Sequence, residues 1–168
     1  MEEHIIIDYL TKVQDILKNE KFKALKNYIQ HGDTSIYRHV IQVSFYCYYK
    51  YCNNPKIDMD SLLRGALLHD FFLYDWHAPK KKVGRKGLHG FTHPKAAIEK
   101  ANQEFHLNKK EKNIIRSHMW PLTLFHIPLS KEAWIVCLND KIVAIKESFH
   151  KKDQDIDLVL KTYKKRCL

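Results

Sequence analysis

"LLRGALLHDFFLYDWH", residues 62–77, decides how the chain is read. Leu62, Leu63, Ala66 and Leu67 recur at the three-and-four spacing of a helix with one buried face. That face runs into His69-Asp70, which Phe71, Phe72 and Leu73 follow directly. An imidazole and a carboxylate set among leucines and phenylalanines are costly to bury unless both find partners. The end of this helix must therefore meet polar groups carried by other elements.

Helical periodicity extends outward in both directions. Ile5, Ile6, Tyr9, Leu10, Val13 and Leu17 predict an amphipathic first helix. A short second one is expected through Phe22, Leu25 and Tyr28, broken at His31-Gly32-Asp33. Residues 34 to 52 predict a third, capped by Thr34 or Ser35 and ended by Asn53-Asn54-Pro55. Asp58 or Asp60 caps the helix that carries the opening stretch. Residues 75 to about 91 hold three of the five glycines and read as a loop. Thr92-His93-Pro94 is expected to start the next helix, because proline suits a first turn. Asn108 with Glu111 forms a capping-box pattern ahead of a helix that stops before Pro121. Ser130 opens another through Trp134, Leu138, Ile142 and Ile145, and a last one runs from about Asp153 to Lys165. No strand, repeat or linker is predicted. The fold expected is one all-α domain over residues 1–168.

Composition is that of an ordinary soluble domain, with 45% apolar and 29% charged residues. No apolar run approaches the roughly 20 residues of a membrane span. MEEHIIIDYL does not read as an export signal, and no membrane partner is expected. Cys47, Cys52, Cys137 and Cys167 form no CxxC pair and read as reduced thiols of a cytoplasmic protein. The formal charge of +10 points to an anionic partner. Lys80, Lys81, Lys82, Arg85 and Lys86 crowd one segment, and Lys161, Lys164, Lys165 and Arg166 the C-terminus. Nucleic acid is a partner the charge allows, but no motif of a nucleic-acid reader accompanies it.

Eleven histidines are many for 168 residues. Several stand where helices can converge on His69-Asp70: His39 in "YRHVIQVS", His93 in "FTHP" and His118 in "SHMWP". Asp140 in "CLNDKIVA" joins them. Val40, Val43 and Phe45 flank His39; Ile114, Ile115, Met119 and Trp120 flank His118; Val136, Leu138, Ile142 and Val143 flank Asp140. Four histidines and two aspartates buried alone leave groups unsatisfied or charged, whereas one or two divalent cations satisfy all six together.

The ordered set His39, His69-Asp70, His93, His118 and Asp140 resembles the HD-domain superfamily of metal-dependent phosphohydrolases. The minimal H…HD…D signature falls on His39, His69, Asp70 and Asp140. His93 and His118 match the extra histidines of dinuclear members, and the likeness covers roughly residues 34–148. It implies a helical bundle around a central metal site. His39, His69, Asp70 and Asp140 would hold one ion, and Asp70 would reach to a second held by His93 and His118. Two divalent transition-metal ions are implied, iron first, with manganese, zinc, nickel or cobalt as alternatives. Two such ions about 3.5–4 Å apart can share a water and make hydroxide available near neutral pH. The resemblance thus implies hydroxide attack on a phosphomonoester or phosphodiester of a small phosphorylated substrate, a nucleotide first.

Substrate contacts are expected from Arg64, about a turn and a half before His69, and from Lys141 beside Asp140. His31, Lys82 and Arg85 are further candidates, the last two as part of a basic lid. Asp75 and His77 are candidates to protonate a leaving group, alongside Asp70 in the catalytic set. His89 and His126 stand near ligand-bearing segments, while His4, His106 and His150 read as surface. Leu73 stands where hydrolases of cyclic di-GMP carry lysine, and Leu73-Tyr74-Asp75 lacks the Glu-Asp pair of alarmone hydrolases. Two other classes stay open: a mixed-valent di-iron oxygenase on the same ligands, and an anion- or nucleic-acid-binding module.

Overall fold

Five of the helix starts are set by short polar side chains that take up free backbone N–H groups. In the computed structural model, which describes residues 3–84, 87–149 and 153–166, Asn19 accepts from Phe22 N. Ser35 accepts from Arg38 N, Asp58 from Ser61 N and Ser130 from Ala133 N. Asn108 and Glu111 form the reciprocal capping box. These caps open α2 (Glu20–Lys23), α3 (Ile36–Tyr51), α4 (Met59–Leu68), α7 (Lys131–Ser148) and α6 (Lys109–Ser117). The other helices are α1 (Glu3–Lys18), α5 (His89–Phe105) and α8 (Gln154–Arg166). The expected all-α class is what the chain adopts.

Three local readings need correction. The second helix is one turn followed by a 3-10 turn over Ala24–Asn27. Where no strand was predicted, Ile29–His31 pairs antiparallel with Thr34–Ser35 around Gly32, whose φ of 54° needs no Cβ to be avoided. α5 starts at His89, not at Thr92, so Pro94 stands inside it. Pro94 has no N–H to give the Gly90 carbonyl, which interrupts the ladder within the second turn.

The core is laid down in two clusters that meet along α3 and α4. One joins α1, α3, α4 and the segment after α4 through Tyr9, Val13, Phe45, Leu67, Phe71 and their neighbours. The other joins α3, α4, α6 and α7 through Val43, Ala66, Ile114 and Val136. Gly65 lets α6 approach α4, since a Cβ there would lie 2.7 Å from Ile114 Cγ2. That close approach brings the C-terminal end of α6 beside that of α4. No helix among the described residues is long and apolar enough to cross a membrane. Cys47, Cys52 and Cys137 are free thiols; Cys167 lies outside the described residues.

α7 corrects the expected neighbourhood of Asp140. Val136, Asp140, Val143 and Glu147 share its buried face. Leu138 and Ile142, expected beside the aspartate, are about half exposed on the other side. Residues at 136, 140, 143 and 147 follow the helical repeat, whereas 138 and 142 fall out of phase with it.

Candidate metal centre

His39 closes the first turn of α3, and His69 and His118 cap the C-terminal ends of α4 and α6. His93 lies on α5, Asp140 on α7, and Asp70 directly follows α4. All six are buried. The four imidazoles are held in the same way. His69 Nδ1 donates to the Ala66 carbonyl at 2.7 Å and His118 Nδ1 to the Ile115 carbonyl at 2.7 Å, each three residues back. His93 Nδ1 donates to the His89 carbonyl at 2.9 Å, and His39 Nδ1 to Glu147 Oε2 at 2.8 Å. A carbonyl or carboxylate only accepts, so every Nδ1 carries the hydrogen and every Nε2 is the ligand atom.

The four Nε2 atoms converge on the two aspartates. Asp70 Oδ1 lies 3.1 Å from His93 Nε2 and 3.5 Å from His118 Nε2. Its Oδ2 lies 3.4 Å from His69 Nε2 and 4.0 Å from His39 Nε2. Asp140 Oδ1 is 3.0 Å from His39 Nε2 and 3.5 Å from His69 Nε2. The ligand atoms form two tight groups that share Asp70: His39–His69–Asp70 and Asp70–His93–His118. A third, His69–His118–Asp140, crosses between them.

Three features of this arrangement fit a cation. His93 Nε2 and His118 Nε2 are 2.8 Å apart, and with both Nδ1 atoms donating elsewhere two lone pairs face each other. His69 Nε2 and Asp70 Oδ1 are buried without a hydrogen-bond partner. Finally, imidazole nitrogens with carboxylate oxygens are the donor set that divalent transition metals favour. The electrostatics agree. Burial opposes ionisation of Asp70, but His69 and His93 outweigh it and hold the carboxyl well below the usual range. Asp140 is held low in the same way, burial being overcome by His39 and His69. Burial lowers His118, and the neighbouring His93 and His69 lower it further, to about 3. For His39 burial also acts downward, yet hydrogen bonds to Asp140 and Glu147 prevail and raise it to about 9.

Above these groups opens a cavity of about 670 Å³. Asp70, His93, His118 and Asp140 form its floor. His31, Lys141 and His89 line it. Lys141 Nζ, however, is tied to the His118 carbonyl at 2.8 Å and to the Cys137 carbonyl at 3.2 Å. Burial, followed by the charge of His39, depresses the His31 pKa, so the ring is neutral at pH 7.

Four other expectations do not reach the cavity. Arg64 donates to Glu111 Oε1 at 2.8 Å, to Asp15 Oδ2 at 3.2 Å and to the Phe105 carbonyl at 2.7 Å. It staples α1, α4, α5 and α6 together, because its position in α4 points away from the His69 ligand atom. Asp75 accepts from His77 N at 3.0 Å, and the pair closes an exposed turn. Leu73 takes a φ of 57° just before it, and Trp76 lines the cavity whereas Asp75 and His77 do not. Lys82 is exposed in the same loop, also outside the lining. Arg85 and His150 lie outside the described residues.

Arg64→Ala is expected to cost on the order of 3 kcal/mol by stranding the buried Glu111. A thermal melt should show the loss while activity per folded molecule changes less than about twofold, whereas an unchanged melt with lost activity would restore Arg64 to the substrate.

Two residues of the centre escaped the sequence reading. Gln30 Nε2 donates to Asp70 Oδ2 at 2.5 Å from the small hairpin. No pattern in the sequence marks it. Glu147 was findable, being seven residues, or two turns, after Asp140 on the same face of α7.

Comparison with known proteins gives one result. A model of the HD domain matches residues 36–145, a span that contains all six ligand candidates. Neither the curated proteins nor the solved structures yield a match.

Proposed function

The chain belongs to the HD domain family, whose members are metal-dependent hydrolases, and on that premise we propose that it hydrolyses a phosphate monoester or diester. The observation that carries this reading is the placement of Asp70, with one oxygen facing His93 and His118 and the other facing His39 and His69. His39, His69, Asp70 and Asp140 would hold one ion and Asp70, His93 and His118 a second, with iron the leading choice and manganese, zinc, nickel or cobalt as alternatives. Bound there, divalent cations supply a low-pKa water and neutralise charge on a phosphoryl oxygen.

The chain's own residues do the rest. The Nδ1 anchors fix each imidazole, so the donor atoms need no reorganisation. Glu147 and Gln30 orient His39 and Asp70. The cavity receives the ester, and neutral His31 offers it a hydrogen-bonding ring rather than a charge. Lys141, held to two carbonyls, sets the wall between α6 and α7.

The test is metal analysis of anaerobically purified protein followed by a panel of nucleotides, sugar phosphates and simple phosphate esters. Phosphate release that depends on a divalent metal and proceeds without oxygen is the expected result. No release from any ester, with oxygen consumed in the presence of iron, would replace the hydrolase by an oxygenase.

A further inference from the structure

The cavity over the centre is built for something other than added charge. Beyond its floor, the walls include Trp76, Met119, Pro121, Leu122 and Ala144. Among the described residues that line it, Lys141 is the one lysine, and no arginine is present. Its ammonium has three donors, and three acceptors already surround it: the carbonyls of His118 and Cys137, and Cys137 Sγ at 3.3 Å. Arg64 is committed elsewhere, and Lys82 does not line the cavity. A second phosphate group entering this space finds no free lysine or arginine among the described lining residues.

The apolar wall also continues outward. Leu122 lines both this cavity and a neighbouring groove of about 310 Å³ formed with Phe91, Leu124 and Phe125, with Thr123 and His126 as its two polar members. Its side chain stands over the backbone of α5: a Cβ on Gly90 would lie 2.9 Å from Leu122 Cδ2. Leu124 is 66% exposed and Phe125 98% exposed. Large apolar side chains held together at the surface, continuous with a buried site, are the mark of a binding track rather than of a solvated loop.

We propose that the substrate is an amphiphile carrying a single phosphate ester, with its phosphate at the histidine–aspartate floor and its apolar chain running past Met119 and Leu122 into the Phe91–Phe125 groove. This inference rests on the hydrolase reading and names its substrate class. In the reaction the oxygen of water bonds to phosphorus, the bond from phosphorus to the ester oxygen breaks, and the alcohol leaves with a proton. The apolar chain takes no part in the chemistry. It supplies binding, so its length moves KM and kcat/KM.

The experiment has a kinetic and a binding arm on the purified protein. For linear alkyl phosphates, kcat/KM is expected to rise about two- to fourfold per methylene between butyl and octyl. AMP and ATP are the comparison, with ATP the poorest because its additional phosphates meet no free lysine or arginine among the described lining residues. In calorimetry, octylphosphonate, which cannot be hydrolysed, is expected to bind at least about tenfold more tightly than methylphosphonate and with a negative heat-capacity change. Leu122→Asp should weaken octylphosphonate at least tenfold, and Leu122→Met should retain its binding.

A flat alkyl series, or AMP outrunning octyl phosphate, overturns the apolar track and leaves the hydrolase intact. Equal binding of methyl- and octylphosphonate overturns it too. Chain-length-dependent phosphonate binding by a protein that cleaves no ester supports the track while the hydrolase reading fails separately.

Discussion

Asp70→Ala is expected to lose most bound metal and to lower hydrolysis by at least about 10³-fold, the scale of removing a group that organises metal-activated attack. The reason lies in where its two oxygens point. One faces His93 and His118, the other His39 and His69, so the substitution empties both groups at once. No other ligand candidate belongs to both in this way: losing His93 leaves the His39–His69–Asp70 group whole. Metal content by elemental analysis and turnover on the best ester should fall together. Circular dichroism guards against unfolding, and Asp70→Asn, which keeps the volume and one acceptor oxygen, provides the second variant. A fully active, fully metallated Asp70→Ala protein would refute the centre described here.

Metal affinity should climb steeply with pH, by about tenfold per unit for each proton displaced, across pH 6 to 8. Without metal, hydrogen bonds to Asp140 and Glu147 overcome burial and keep His39 protonated up to about 9. His69 is likewise raised well above its ordinary value, burial being overcome by Asp70 and Asp140. Both protons sit on Nε2, the atom a metal needs. Uptake of metal at pH 7 should therefore release between one and two protons, measurable by calorimetry in buffers of different ionisation heat. The same groups set the stability of the metal-free chain. His39 is raised above its unfolded value, so its contribution is complete below about pH 6.5 and is lost as pH rises through about 9. Asp70 and Asp140 are depressed, so theirs is present above about pH 4 and lost as pH falls toward their folded values. Metal binding that releases no proton and ignores pH over this range would contradict the hydrogen-bonded arrangement of His39.

How far the chain could be read in advance differs from one residue to the next. Asn108 with Glu111, and Ser130, marked their helix starts, and of the pairs Thr34/Ser35 and Asp58/Asp60 it is Ser35 and Asp58 that cap, because a cap is local chemistry within one turn. Pro94 misled for the same reason: proline suits a first turn, and nothing local shows that helical residues already precede it. Leu138 and Ile142 looked like cover for Asp140 because they are apolar and close in sequence. Phase along α7 puts them outside instead.

Arg64 shows a different limit. Its distance from His69 along α4 suggested a phosphate contact, but Glu111 and Asp15, 47 and 49 positions away, claim the guanidinium. A long cationic side chain goes to whichever carboxylate the tertiary packing brings near, and spacing on one helix does not name it. Gln30 makes the same point in reverse, since a glutamine on a seven-residue hairpin becomes a partner of Asp70 only through folding.

The order and chemical type of His39, His69, Asp70, His93, His118 and Asp140, together with the helical repeat around them, were set by the sequence alone. Those features are one-dimensional: periodicity chooses helix, and residue type chooses donor atoms. Tertiary structure alone decided that every Nδ1 is anchored so that every Nε2 converges, that the cavity above is walled by Trp76, Met119 and Leu122, and that the one lysine among its described lining residues is already occupied. Such outcomes depend on distances between elements tens of residues apart, which packing fixes and no local pattern encodes.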